Sequence, residues 1–480
     1  CDRYFAHAAF DVIKCGRAAV YFQLDAHAGM RIVVDGHGTH AALQRVAVVR
    51  RPGDGHLGDA HAAGYLVFAV QAAEIVLLRD AETESERYFL YDPKMNVTPD
   101  PAGGVRTADT LFAQAIRRMT ESAPDVRNWI VPLSGGHDSR LIVNYLYKAG
   151  IRNVVCYSYG VPENPQSRLS REVAEAFGYE WHFVEYTRGL FDAIREQGLL
   201  DRYFRFASCC ASSMPHTQDF AAVYELGRRG ILQRGDLFVP GHTLDFLAGS
   251  HLTPQVCAIR TPTQAAEAVQ GHFSNWGSRR PDRALQREIG RILNDTGVSP
   301  NGFPECFDWQ ERQAKFIMHS LRVYEFFGYG WRTPWWDNDL TAFWQDMDVS
   351  AKLNRSFFFY GEKHGWLDAK LEGIPFENEL CPPRASKPLS RRIIEAVPPS
   401  VLSRLLRATG YTRKFRINEG LHDLYGDIPI ERLLAPFSVL PGYLRRHIAP
   451  YRKRLASQYD YHQVTLAYAI RRLFFGSVGR

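Results

Sequence analysis

Between residues 17 and 92, short apolar runs alternate with polar turns. Ala19–Leu24, Met30–Val34, Val46–Val49, Tyr65–Val70, Ile75–Leu78 and Tyr88–Tyr91 are separated by Gly, Asp and His. Runs this short, rich in Val, Ile, Tyr and Phe, predict β-strands. Asp92 to Gly104 is rich in Pro and Gly and reads as a linker. From Thr107 the period changes. A helix leads to a buried strand at Trp129–Leu133, and a second helix opens at Leu141–Leu146. Val154–Ser158 follows as a strand, Arg168–Phe177 as a helix and His182–Glu185 as a strand. Strands alternating with helices predict parallel β-α-β units, so the fold class is α/β. Beyond about residue 260 the pattern is mostly helical, and no internal repeat is visible.

The 480 residues suffice for two or three domains. The expected division is a β-rich domain over 1–105, a parallel-sheet domain over 106–390 and a basic helical extension over 391–480. Residues 388–480 hold 16 Lys and Arg against 6 Asp and Glu, or +10, which leaves −4 for the rest of a chain of net charge +6. That excess suits a solvated helical surface, an anionic membrane leaflet met peripherally, or a phosphorylated substrate. No interleaving of aromatic and basic residues typical of a nucleic-acid module is present, so nucleic acid is not an expected partner. No apolar run is long enough to span a bilayer. The first residues show no basic region followed by an apolar core, so no secretory signal is expected. The eight cysteines (1, 15, 156, 209, 210, 257, 306 and 381) include no Cys-x-x-Cys. A reducing cytoplasm is therefore expected, without a disulfide framework.

Residues 133–140 read Leu-Ser-Gly-Gly-His-Asp-Ser-Arg, between a predicted strand and a predicted helix. Gly135 and Gly136 allow a ligand to approach the backbone closely. The helix start aims unpaired N–H groups and a partial positive charge at that ligand. Ser134 and Ser139 add donors, and Asp138 can hold a divalent metal beside an anion. The loop is unlike Gly-x-x-x-x-Gly-Lys-Ser/Thr, the other common phosphate loop.

This loop resembles the pyrophosphate loop of the ATP pyrophosphatase superfamily, which cleaves ATP between the α- and β-phosphates. Two later segments extend the likeness. Leu237–Gly249 reads as a strand, a Gly turn, an acid and a Gly, and Trp331-Arg-Thr-Pro-Trp-Trp-Asp337 is followed fifteen residues on by Lys352. In this order the three segments resemble the synthetase domain of class B, glutamine-hydrolysing asparagine synthetases, over roughly residues 107–390. The resemblance implies an adenine-nucleotide α-hydrolase-like sheet domain that uses ATP and Mg²⁺. It implies nucleotide contacts at Leu133, Ser134, Gly135, Gly136, Asp138, Ser139, Tyr157, Ser158 and Gly241. It further implies metal ligation by Asp138 and Asp245, with Asp245, His242 and Lys387 in the chemistry. Lys363 is the alternative lysine.

The chain departs from the family at Gly241-His242-Thr243-Leu244-Asp245-Phe246, where His242 and Phe246 replace acids. The acceptor implied is therefore a carboxylate other than free aspartate. Phe246, Trp331, Trp335 and Trp336 are each read as core aromatics. Taken together they leave open a larger, flatter acceptor, such as a sugar or a peptide, and the basic C-terminal segment suits a uronic acid of a surface polysaccharide carried on a nucleotide or a lipid. Residues 64–91 resemble the closing strands of the family's glutaminase half (an Ntn-type fold), which is truncated here and lacks the glutamine-holding element. Ammonia or an amine is the expected nitrogen donor. Cys1 stands where the family has its nucleophile, but Asp-Arg-Tyr follows it. Four other readings stay open: asparagine synthetase proper, a peptide or β-lactam cyclase, an RNA-modifying adenylase, and a degenerate scaffold. The loops Asp35–His40 and Asp54–His61 are read as polar turns rather than metal sites. Oligomeric state is not readable.

Overall fold

The computed structural model describes residues 86–93, 100–207, 214–273 and 282–380, with Leu424, Thr465, Tyr468 and Ala469, and the backbone of strands within 10–87. Strands β1 (Phe10–Cys15), β2 (Ala18–Asp25), β3 (Gly29–Asp35), β6 (Glu74–Arg79) and β7 (Glu82–Arg87) form an antiparallel sheet in the order β1-β2-β3-β6-β7. β4 (Val46–Arg50) and β5 (Tyr65–Ala69) pair as a hairpin. Five of the six predicted runs are strands. The sixth, Tyr88–Tyr91, is not: Tyr91 is fully buried and its ring stacks on Trp309 at 5.0 Å, so packing against helices accounts for its apolar character. β7 was missed because Glu-Thr-Glu-Ser-Glu-Arg has no apolar alternation. It lies at the edge of its sheet, where charged residues discourage further pairing.

The predicted linker is shorter than its Pro and Gly content implied. Helix α1 (Pro101–Glu121) starts within it, with Pro101 in the first turn and the Asp100 carboxylate accepting the Gly103 amide at 2.8 Å. These residues are a helix N-terminus.

A second, wholly parallel sheet follows. Its strands are β8 (Trp129–Pro132), β9 (Val154–Gly160), β10 (Glu180–Glu185), β11 (Leu237–Phe238) and β12 (Gly330–Trp331), in the order β10-β9-β8-β11-β12. The chain winds outward from β8 through β9 to β10, then crosses to β11 on the other side. The strand order thus reverses between β8 and β11. In open α/β sheets the loops at such a reversal part beyond the carboxyl ends of the strands and leave a crevice. The Ser134–Ser139 loop leaves β8, and the Pro240–Asp245 loop leaves β11.

Helix α2 (Asp138–Lys148) follows β8 and is buried from Ser139 through Leu146. Helices α3 (Pro165–Phe177), α4 (Arg188–Glu196), α5 (Leu199–Ala207) and α6 (Phe220–Arg228) complete the layers before β11. The four-residue helix α7 (Leu244–Leu247) follows it. On one face, Phe112 of α1 meets Trp335 and Trp366 edge-on, and Asn144 of α2 donates to the Trp366 carbonyl at 2.8 Å. Phe246, Trp335 and Trp336 are buried and Trp331 is partly so. None of the four lines the cleft described below, which favours the core reading of each. No helix among the described residues is long and apolar enough to cross a membrane.

Lys352, which the sequence pattern set beside the family's lysine, is fully buried, and its ammonium contacts both Glu305 oxygens at 2.8 and 2.9 Å. Gly249, at φ +95°, passes so near that a Cβ there would lie 2.5 Å from the Lys352 carbonyl oxygen. Removing one partner of such a pair leaves a buried charge, so Lys352→Met should lower stability by about 3–5 kcal/mol. Lys352→Met/Glu305→Leu should recover most of that loss in urea unfolding. A Lys352→Met protein of unchanged stability but lost activity would instead place this lysine in the chemistry.

Candidate functional site

The two switch-point loops meet over a cleft of about 380 Å³. Ser134, Gly136, His137, Asp138 and Ser139 line one side, Gly241, His242 and Asp245 another, and Tyr159, Asp219, Ser320, Tyr324 and Arg355 close it. The first loop is tied to itself. Ser139 Oγ accepts the Ser134 amide at 3.1 Å and lies 3.2 Å from Ser134 Oγ, which in turn accepts the Gly136 amide at 3.2 Å. The start of α2 lies at its end, with Asp138 as the first helical residue. Its first amides therefore have no intrahelical acceptor.

The second loop approaches this helix start without a side chain between them. A Cβ on Gly241 would lie 2.7 Å from the Ser139 nitrogen and 2.8 Å from the Asp138 carbonyl carbon. Thr243 takes φ +78°, an uncommon and costly conformation for a β-branched residue. Two buried bonds hold it there: Thr243 Oγ1 accepts from Trp336 Nε1 at 2.9 Å and donates to Gln313 Oε1 at 3.1 Å.

Asp138 is the electrostatic centre. Its Oδ2 accepts the Asp245 amide at 3.0 Å, and its Oδ1 accepts from Arg355 at 3.0 Å. Burial pushes the Asp138 carboxyl up to about 7, with Asp245 and Glu362 adding to the rise and Arg355 opposing it. Asp245 itself accepts from Ser250 Oγ at 3.1 Å. Arg355 follows Asn354, and both have positive φ. Its guanidinium lies 4.1 Å from the Phe358 ring centroid, and its buried Nε has no protein acceptor. Among the described residues it is the one lysine or arginine lining the cleft.

His242 is held by Ser320, with Nε2 2.8 Å from Ser320 Oγ. Ser320 donates its single proton to the Ile317 carbonyl at 2.7 Å, so Nε2 carries the His242 proton and Nδ1 is left as an acceptor. Burial lowers this imidazole to about 4, so it is neutral near pH 7. On the facing wall Asp219 accepts from Tyr324 at 2.8 Å and Tyr157 at 3.3 Å. Burial raises the Asp219 carboxyl, and these two hydroxyls oppose the rise.

Of the residues expected from sequence, Ser134, Gly136, Asp138, Ser139, Gly241, His242 and Asp245 line the cleft together. Leu133, Gly135, Tyr157 and Ser158 do not. Leu133 points into the core, and a Cβ on Gly135 would face Leu169 and Gln166. Tyr157 and Ser158 are buried along β9, whose next residue, Tyr159, reaches the cleft in their place. Lys363 is exposed and outside the lining. Lys387, Cys1 and the two histidine-rich loops lie outside the described residues.

Arg355, Asp219, Ser320 and Tyr324 were missed from sequence. Asp219, just before the apolar start of α6, has the local signature of a helix cap, yet its side chain makes no capping bond. Arg355 carries no local signal, because only the tertiary fold brings it to Asp138.

Two outcomes follow from this geometry. Gly241→Ala should force the loops apart and lower stability in urea unfolding by about 1–3 kcal/mol. Asp138 has a folded pKa above its unfolded value, so its contribution to stability is lost as pH rises through about 7. Asp138→Asn removes that loss. Its stability relative to the parent should rise by about 2 kcal/mol between roughly pH 5 and roughly pH 8, and a difference independent of pH would contradict the burial argument.

No protein-family model matches this chain, and no curated protein matches it. Among solved structures, NMN synthetase from Francisella tularensis aligns with 47% of this chain and 93% of its own, at 11% identity and a TM-score of 0.21.

Proposed function

We propose that this chain is an ATP-dependent carbon–nitrogen ligase that adenylates a carboxylate, releases pyrophosphate and passes the acyl group to ammonia or an amine. The observation that supports this reading is the meeting of the two loops at the switch point. There an 11-residue helix opens onto a hydroxyl-rich glycine loop, with Asp138 and Asp245 beside it. The resemblance to class B asparagine synthetases favours the same reaction class, and two acids replaced by His242 and Phe246 favour an acceptor other than free aspartate.

Asp138 and Asp245 fit a hard divalent cation: two carboxylates share one cleft, and burial makes the charge on Asp138 costly without a counter-ion. Mg²⁺ held there would neutralise charge on the departing pyrophosphate. Ser134, Gly136 and Ser139 with the first amides of α2 would cradle the phosphates. Arg355 would turn from Asp138 to the β- and γ-phosphates, the task that sequence assigned to Lys387. An acceptor carboxylate oxygen attacks the α-phosphorus and the bond to the bridging oxygen breaks. The amine nitrogen then attacks the acyl carbon, AMP leaves, and the nitrogen's proton passes to His242 Nδ1. Positioning and charge neutralisation are the protein's main contributions. Tyr159 and Gln218 line the same cleft and would supply polar groups that suit a saccharide carboxylate such as a uronic acid.

ATP–pyrophosphate exchange across a panel of carboxylates tests the reading. One class of acid should support exchange. Asp138→Asn should abolish it, and Arg355→Ala should slow it by about 10²–10³-fold, as expected for loss of a charge-stabilising donor. Exchange that survives Asp138→Asn would remove the loop from the chemistry.

A further inference from the structure

Behind the acidic loop lies a second group of ligating side chains that the proposed reaction does not use. His251, His272 near the end of helix Pro262–Phe273, and Asp308 each offer a ligand atom, and these atoms lie within 4.8 Å of one another. His251 Nδ1 is 2.6 Å from Asp308 Oδ2, and the two imidazole centroids are 5.1 Å apart. Asp308 is almost wholly buried, and its Oδ1 accepts from Gln313 Nε2 at 2.9 Å, which leaves Oδ2 turned to the histidines.

The backbone contributes as well. Asp308–Ile317 is a π-helix, a form that is rare beyond a single turn and concentrates at functional sites. It places Asp308 and Gln313 five residues apart on one face, so that one buried side chain orients the other. A carboxylate fixed by an amide behind it and open toward two imidazoles is how proteins hold a metal ligand in place.

We propose that His251, His272 and Asp308 bind a borderline transition-metal ion, Zn²⁺ foremost. Two imidazoles and one carboxylate match the donor set of zinc sites, whereas Mg²⁺ and Ca²⁺ call for oxygen ligands throughout. Bonds of about 2.0–2.2 Å place tetrahedral ligand atoms roughly 3.3 Å apart. The ion takes the place of the proton between His251 and Asp308, and the exposed His272 rotates inward to close the set.

The consequence reaches the cleft. Gln313 also accepts from Thr243 Oγ1, and Ser250, next to His251, donates to Asp245. The ion would therefore brace the Thr243–His251 segment at both ends, holding Asp245 in place from behind.

Zn²⁺ titration of the full chain by calorimetry, followed by Co²⁺ substitution read by visible absorption, tests this. The parent should bind one tight equivalent, gain several degrees in Tm and show a Co²⁺ band. His272→Ala, a change at an exposed position that leaves the fold intact, should weaken that equivalent by at least about 10–100-fold and remove both signatures. Asp308→Asn should do the same. A parent with no tight equivalent, or a His272→Ala protein that binds Zn²⁺ as the parent does, overturns the proposal. Either result leaves the ATP-dependent reading untouched, because that reading uses none of these three side chains.

Discussion

The backbone at Gly241 passes so close to the first turn of α2 that a methyl group there would lie 2.7 Å from the Ser139 nitrogen. The geometry of the cleft depends on that approach. It sets the Asp245 amide on the Asp138 carboxylate, and it puts Asp245 and His242 in the cleft that the Ser134–Ser139 loop opens onto. The approach follows from topology. β8 and β11 are neighbours, the chain reverses its direction of winding between them, and their loops must leave side by side.

The same closeness has an electrostatic cost that the fold keeps. Asp138 is partly buried beside Asp245 and near Glu362, with Arg355 as its one described cationic partner, and its carboxyl rises to about 7. Thr243 stays at φ +78° because Trp336 and Gln313 fix its hydroxyl. Buried charge and backbone strain at one loop pair are what a binding site built for a charged ligand leaves in its free state. The rest of the domain compensates with well-packed aromatics such as Phe112, Trp335 and Trp366 around α1 and α2.

Residues whose role is set by neighbours in sequence were legible, and those set by neighbours in space were not. The glycine loop, its strand and its helix declare themselves in eight consecutive residues, and alternation of β and α gave the parallel sheet. Arg355 is invisible by the same logic, since it reaches Asp138 from 217 positions away. Lys352 shows the same limit: its spacing from Asp337 is visible in sequence, while its burial against Glu305 is set only by the tertiary fold. The Pro and Gly content of residues 100–104 was read as a linker, although an Asp ahead of a Pro is also how a helix begins.

The most direct measurement is the fate of ATP when the full chain turns over the carboxylate that supports exchange, followed by phosphorus NMR with a heavy-oxygen label in that carboxylate. An adenylating ligase forms AMP and pyrophosphate in equal amounts, with one labelled oxygen carried into AMP. ADP and inorganic phosphate as products, or AMP without the label, would show that the cleft between Asp138 and Asp245 performs a different reaction.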